Sequence, residues 1–584
     1  MPVSLIQGDS LLAVDIGAAL TRAVFFDVVD GQYRFVAAGQ APSTAEAPFK
    51  DVSEGVREAI EQLQSVTGLT LLDEERGLIT PSQPDGSGVD AFVSTLSAGP
   101  ALRAVIAGLL PEASLESARR LTETVYARIV DRISLHDRRR PDELIDSLLR
   151  QRVDVVVLTG GTDGGASRSI QKMVEPIGLA SYLLPEDRRP AVLFAGNQKM
   201  ETEVRTLLGS LAASLHFSPN VRPSLETEDI EPAARELARL YVDVRRRQLK
   251  GVDTIEGWSN GHVLPTGYAS GRMMRFLSRV YGTDKGILSA NLGASAAVVA
   301  AAFKGRSTLG VYPQFGLGEN LPGLLHYTTL EEILAWSPVE CTAAQLRDYL
   351  YQRSLYPSSL PATLEDQALA QAVARQALRL AMKTARGDFP SNAVSLKREL
   401  LPLFEPIIAG GTALSDAPSA GQSLLLLLDA IQPVGMTTII LDQNNLLPLL
   451  GAAAGRNSLL PVQVLESGAF MSLGTIISPV GGAPYGSTVL EARLAYEDGT
   501  QARVELKQGS IQVLPLRAGQ TGKLSLQPAG RADAGFGPGR SADVTVTGGS
   551  VGVVFDGRGR PLSLPADAGR RRELVRQWHW ALGG

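Results

Sequence analysis

One rhythm of strands occurs twice in this chain, and it constrains the fold more than any other feature. LLAVDI (11–16), TRAVFFDV (21–28) and YRFVAAGQ (33–40) are short apolar runs parted by Gly and Asp turns. GILSANLG (286–293), AAVVAAAF (296–303) and STLGVYP (307–313) repeat the pattern. Each set reads as a three-stranded meander, and the recurrence marks an internal duplication. Buried-strand signals follow each meander: VDVVVLTGG (153–161) and AVLFAGN (191–197), then PIIAGGT (406–412) and MTTIILD (436–442). Apolar spacing predicts helices over 51–68, most of 101–135, 232–250 and 364–383. Strands separated by helices imply mostly parallel α/β sheets.

Beyond residue 485 the texture changes to alternating apolar and polar residues with DG and QG turns, which is antiparallel chemistry. A final helix is expected at 570–582, carrying Trp578 and Trp580. The expected units are therefore a first lobe with a helical insertion (1–285), a second lobe (286–484) and a detachable β-rich domain with a terminal helix (485–584).

Composition removes several functions. With 56 Lys and Arg against 61 Asp and Glu, the net charge is -5, so no bulk basic excess points to nucleic acid. One cysteine excludes a disulfide scaffold and multi-cysteine metal sites. The five histidines show no ligand spacing. MPVSLIQGDS lacks the charge and apolar core of a secretory signal, and no apolar run reaches membrane-spanning length. A cytoplasmic protein without membrane partners is expected.

Five segments carry chemistry. In DIGAALT (15–21), Asp15 ends a buried strand before Gly17 and Thr21. It can hold a divalent cation through water while the turn amides face phosphate, or the segment is an ordinary hairpin turn. NLGASAA (291–297) sits at the equivalent point of the second meander, with Asn291 two residues before Gly293 and Ser295 beyond. Paired loops facing across a cleft are a sound phosphate clamp, although Asn291 is neutral and only a weak metal candidate. GGTDGG (160–165) places Gly160, Gly161, Thr162 and Asp163 after a buried strand, where open sheets bind ligands; otherwise it is a tight solvent loop. AGGT (409–412), with Gly410, Gly411 and Thr412, suits a nucleoside packed on backbone. Asp442 is either a ligand contact or a helix cap. A nucleotide is expected between loops 15–21, 160–165 and 409–412.

DIGAALTRA, the repeated loop at 291 and the later AGGT resemble the two phosphate motifs and the adenosine motif of the actin-like ATPase superfamily. Within it, STLSAGPALRAVIAGLLPEASLESARR (94–120), VVVLTGGTDGG (155–165), LFAGN (193–197), NVRP (220–223) and LPTGYA (264–269) are similar, in order, to the glutamate mutase accessory family called MutL. The resemblance spans about residues 10–480 and implies duplicated ribonuclease H-like lobes around an interlobe cleft, ATP and Mg²⁺ as cofactors, and a protein client that is a cobalamin-dependent mutase. Asp15 and Asp163 are the candidate catalytic carboxylates, Asp163 as a group that can position a water or a hydrated Mg²⁺. Where the family carries hydroxyls and a lysine, this chain has Ala18, Ala19 and Arg22; its second loop reads Asn291, Ala294, Ala296 and Ala297. Hydrolysis is therefore expected to be weak or lost. The alternatives are a pseudo-ATPase scaffold acting through its β domain and, last, a small-molecule kinase. Oligomeric state is open.

Overall fold

The computed structural model describes residues 9–73, 77–281 and 284–583. The first meander forms as expected: Leu11–Ile16, Leu20–Val29 and Gln32–Pro42 pair antiparallel in sequence order. Ala91–Leu96 then pairs parallel to the first strand, and Val263–Pro265 parallel to Ala91–Leu96. The second meander, Gly286–Leu292, Ala297–Phe303 and Arg306–Tyr312, is followed by Phe404–Gly410 and Gly435–Asp442 in the same order and sense. Two sheets built on one plan establish the duplicated actin-like architecture.

Helix α1 (Val52–Thr67) covers one face of the first sheet, burying Val56, Ile60 and Leu63. Two further helices bridge the lobes. Met273, Met274 and Leu277 of α2 (Thr266–Tyr281) and Leu446, Leu449 and Leu450 of α3 (Leu446–Ala453) share one core with strands of both sheets.

Residues 101–135, at the start of the insertion in the first lobe, are not mostly helical. Leu102–Ala107 and Ala127–Ile133 are strands, and only Glu116–Thr122 between them is α-helical. The fourfold spacing of Leu121, Val125, Ile129 and Ile133 thus runs from a helix through a turn into a strand. Together with Val155–Leu158, Ala191–Phe194 and Ser214–Phe217 these strands make a separate, wholly parallel sheet. Val155–Leu158 stands next to Leu102–Ala107 rather than in a lobe sheet. The insertion is an α/β domain with its own core, and it touches the second lobe where the Val311 amide donates to the Glu123 carbonyl (2.7 Å).

The boundary at 485 also needs correction. Gly552–Asp556 pairs parallel to Met471–Ser478, and Ile511–Leu514 pairs with Gly552–Asp556, so the second-lobe sheet has eight strands. Only Thr488–Tyr496, Gln501–Lys507, Thr521–Pro528 and Ala542–Thr547 form a sheet of their own. Helix α4 (Ala568–Ala581) lays Leu574, Val575 and Trp578 into the second-lobe core, while Trp580 stays exposed. A buried ion network fastens this union. Asp429 accepts from Arg375 (2.8 Å) and Arg558 (2.6 Å), and Asp556 accepts from Arg558 (2.9 Å) and Arg560 (2.6 Å). The two arginines hold the Asp556 carboxyl far below the usual carboxylate range despite its burial.

Candidate functional site: the interlobe cleft

The turns after Ile16 and Leu292 are built alike. Gly17 N–H donates to the Leu20 carbonyl and Gly293 N–H to the Ala296 carbonyl, both at 3.0 Å. Each turn reverses the chain between the first two strands of a lobe, so the duplication brings the two turns face to face. Asp15, Gly17, Ala18, Ala19 and Arg22 line one wall of a cleft, and Asn291, Gly293, Ala294, Ser295, Gly411 and Thr412 line the other. Among the described residues, the amides of Ala18, Ala19, Ala294 and Ser295 donate to no protein group.

Asp15 is buried and engaged. Its Oδ1 accepts from Thr95 (2.6 Å) and Thr266 (2.9 Å), and its Oδ2 from Asn445 Nδ2 (2.8 Å). Asn445 Oδ1 in turn accepts from Asn291 Nδ2 (2.9 Å). A relay Asp15–Asn445–Asn291 therefore ties the first lobe, the start of α3 and the second lobe together. Burial raises the Asp15 pKa, opposed by these hydrogen bonds and by Arg22. Three donors leave a carboxylate about one of its four acceptor sites. That is enough for one water of a hydrated Mg²⁺, which keeps several waters and prefers anionic oxygen. Among the described residues no group of three His, Cys, Asp or Glu side chains is placed to hold a metal. A cation here would rely on Asp15 and on ligand phosphates.

Gly411, with φ +104, is required by close approach: a Cβ there would run into the Leu292 carbonyl oxygen. Gly410 lies beneath Asn291, whose Nδ2 is 3.0 Å from the position of a Cβ on it. Thr412 lines both this cleft, of about 110 Å³, and an adjoining, mainly apolar cavity of about 80 Å³ with Tyr349, Leu360, Gln371 and Asp416. Asp442 resolves as a cap: its two oxygens accept from the Leu446 and Leu447 amides at 2.8 Å each.

Five expected site residues lie elsewhere. Thr21 is buried on the opposite face of its strand, against Gly55 of α1, with no partner for its hydroxyl. Strand alternation explains this: Asp15 pairs with Arg22, so Thr21 and Ile16 point the other way. Gly160, Gly161, Thr162 and Asp163 do not line the cleft. They follow a strand of the inserted sheet, where Asn220 donates to Asp163 (2.9 Å) and Asn197 to the Gly165 carbonyl (2.6 Å). Sequence reasoning missed Thr95, Thr266 and Asn445 as the partners of Asp15. Thr95 and Thr266 stand inside the quoted motifs 94–120 and 264–269, but their convergence is a product of the tertiary fold.

Residues 11–468 match the family model described as "MutL protein". The chain belongs to the MutL family. Protein MutL of Clostridium tetanomorphum is 25% identical over 280 residues, 47% of this chain and 53% of that protein. The chain thus spans about half the length of the curated relative it matches. Among solved structures, nucleotide-free acetone carboxylase is similar at 13% identity and TM-score 0.30, over 85% of this chain and 81% of that one. A diol dehydratase-reactivating factor is similar at 11% identity and TM-score 0.29, over 79% and 99%. For this MutL-family chain, the fold assignment rests on the repeated sheet order.

Proposed function

We propose that this MutL-family protein is an accessory protein that binds ATP with Mg²⁺ in its interlobe cleft, hydrolyses it weakly or not at all, and uses the bound state to act on a protein client. The client class that family resemblance suggests is a cobalamin-dependent mutase. The observation that carries the reading is the junction at Thr412: a cleft walled by two glycine turns with undonated amides meets an apolar cavity, as a polyphosphate joined to a base requires. Weak hydrolysis follows from the neutral Asn291. Phosphoryl transfer depends on positioning and on charge neutralisation, and the loop opposite Asp15 supplies no second anion for metal.

The cleft is narrow. Pockets that enclose small ligands run to about 300–1,000 Å³, well above the 110 Å³ here. Nucleotide entry therefore requires the lobes to part and the Asn445 relay to break or lengthen. The same relay favours a second reading, a scaffold that uses no nucleotide. Calorimetric titration of the full chain with Mg-ATP separates the two: saturable binding supports the first, and no heat at millimolar ligand supports the second.

A further inference from the structure

A second cleft, much larger than the one between the phosphate turns, lies among the described residues. A cleft of about 990 Å³ opens where the inserted domain, α2 and the Gly305–Arg306 turn of the second lobe meet. Its size lies within the range that encloses a nucleotide-sized ligand.

Its α2 wall is basic. Arg272, Arg275 and Arg279 stand three and four residues apart, which puts them on one helix face. Arg306 joins them because the turn that carries it is docked on α2. The Gly305 amide donates to Ser278 Oγ (3.1 Å), and Arg279 Nε lies 3.5 Å from where a Cβ on Gly305 would stand.

The opposite wall carries acids: Glu226 and Asp229 make no ion pair among the described residues, and three others are committed. Glu231 pairs with Arg275, Glu228 accepts from Arg120 (2.6 Å), and Asp388 accepts from Arg119 (2.6 Å). Arg272, Arg279 and Arg306 make no ion pair or side-chain hydrogen bond among the described residues. Three arginines without ion pairs among the described residues thus line one cavity. They present planar donor forks that match phosphate oxygens.

We propose that this cleft binds a small molecule bearing two or more phosphate groups, at a site separate from the interlobe cleft. The phosphates lie against Arg272, Arg279 and Arg306, and the ligand body fills the space toward the inserted domain.

Inorganic tripolyphosphate is the probe, and because the interlobe turns would take the same phosphates, Ala18→Glu is used to close that cleft. Calorimetric titration of the full chain should show a saturable site that weakens with salt. In the Arg272→Gln/Arg279→Gln double variant affinity should fall by about tenfold or more, the value of losing charge-assisted hydrogen bonds. Arg306→Gln, at an exposed position, should weaken binding in a protein whose fold is undisturbed. Ala18→Glu, which places an anion in the interlobe cleft, should leave tripolyphosphate binding at this site unchanged. Absence of binding, full binding in Arg306→Gln and the double variant, or loss of binding in Ala18→Glu would each overturn the assignment.

Discussion

Asn291 is the residue on which the chemistry of the cleft turns. As an amide it donates to Asn445 Oδ1, and Asn445 can then donate to Asp15. A carboxylate at 291 would set acceptor against acceptor and place a second anion across the relay. Asn291→Asp should therefore lower the stability of the Mg²⁺-free protein by roughly 1–3 kcal/mol, the cost of a buried unsatisfied group. Mg²⁺ should restore it, since a cation between two carboxylates removes the conflict. Urea denaturation with and without Mg²⁺ checks this; identical stability under both conditions would contradict it. The neutrality of 291 and its equivalence to Asp15 were legible in the sequence, because both residues stand two before a glycine. The amide bridge was not, because Asn445 comes from an element far along the chain.

At the scale of elements, the second helix of the lobe interface begins on a titratable cap. Asp442 is buried, and burial pushes its pKa up to about 6 against the opposing amides of Leu446 and Leu447. Its value in the unfolded chain is about 3.9, so between these values the folded protein holds a proton that the unfolded chain has released. The stability that this proton contributes is complete below about pH 4 and is lost as pH rises through about 6. Acidifying from pH 7 to pH 5 should therefore stabilise the wild type relative to Asp442→Asn, by at most about 1.4 kcal/mol for each unit below the folded pKa. Denaturation curves of both proteins at the two pH values give the comparison, and an unchanged gap would contradict it. Elements with a clean period were legible, including both meanders and Val52–Thr67. The insertion misled because Ala127–Ile133 carries apolar residues at positions that also satisfy a helix, and periodicity cannot separate the two in short runs.

At the scale of the whole molecule, the tail completes the second lobe, contrary to the reading of residues 485–584 as detachable. Composition changes near 485, but composition does not reveal that Gly552–Asp556 returns to the lobe sheet or that Trp578 is buried in the lobe core. A chain ending at 484 should expose Ile476 and Ile477, strip Asp429 of Arg558, and aggregate on expression. A soluble, monodisperse product by gel filtration would contradict this. Asp429→Ala in the full chain should cost about 3–5 kcal/mol, because it leaves buried arginines uncompensated; a loss below about 1 kcal/mol in urea denaturation would show that the network does not fasten the tail. The two facing turns, and not the glycine loop of the inserted domain, are the proposed nucleotide site. Its most direct test is Mg-ATP titration of the wild type, Ala18→Glu and Asp163→Asn, each checked for an intact fold. Saturable binding is expected in the wild type and Asp163→Asn, and loss of binding in Ala18→Glu; binding lost in Asp163→Asn but retained in Ala18→Glu would contradict this site.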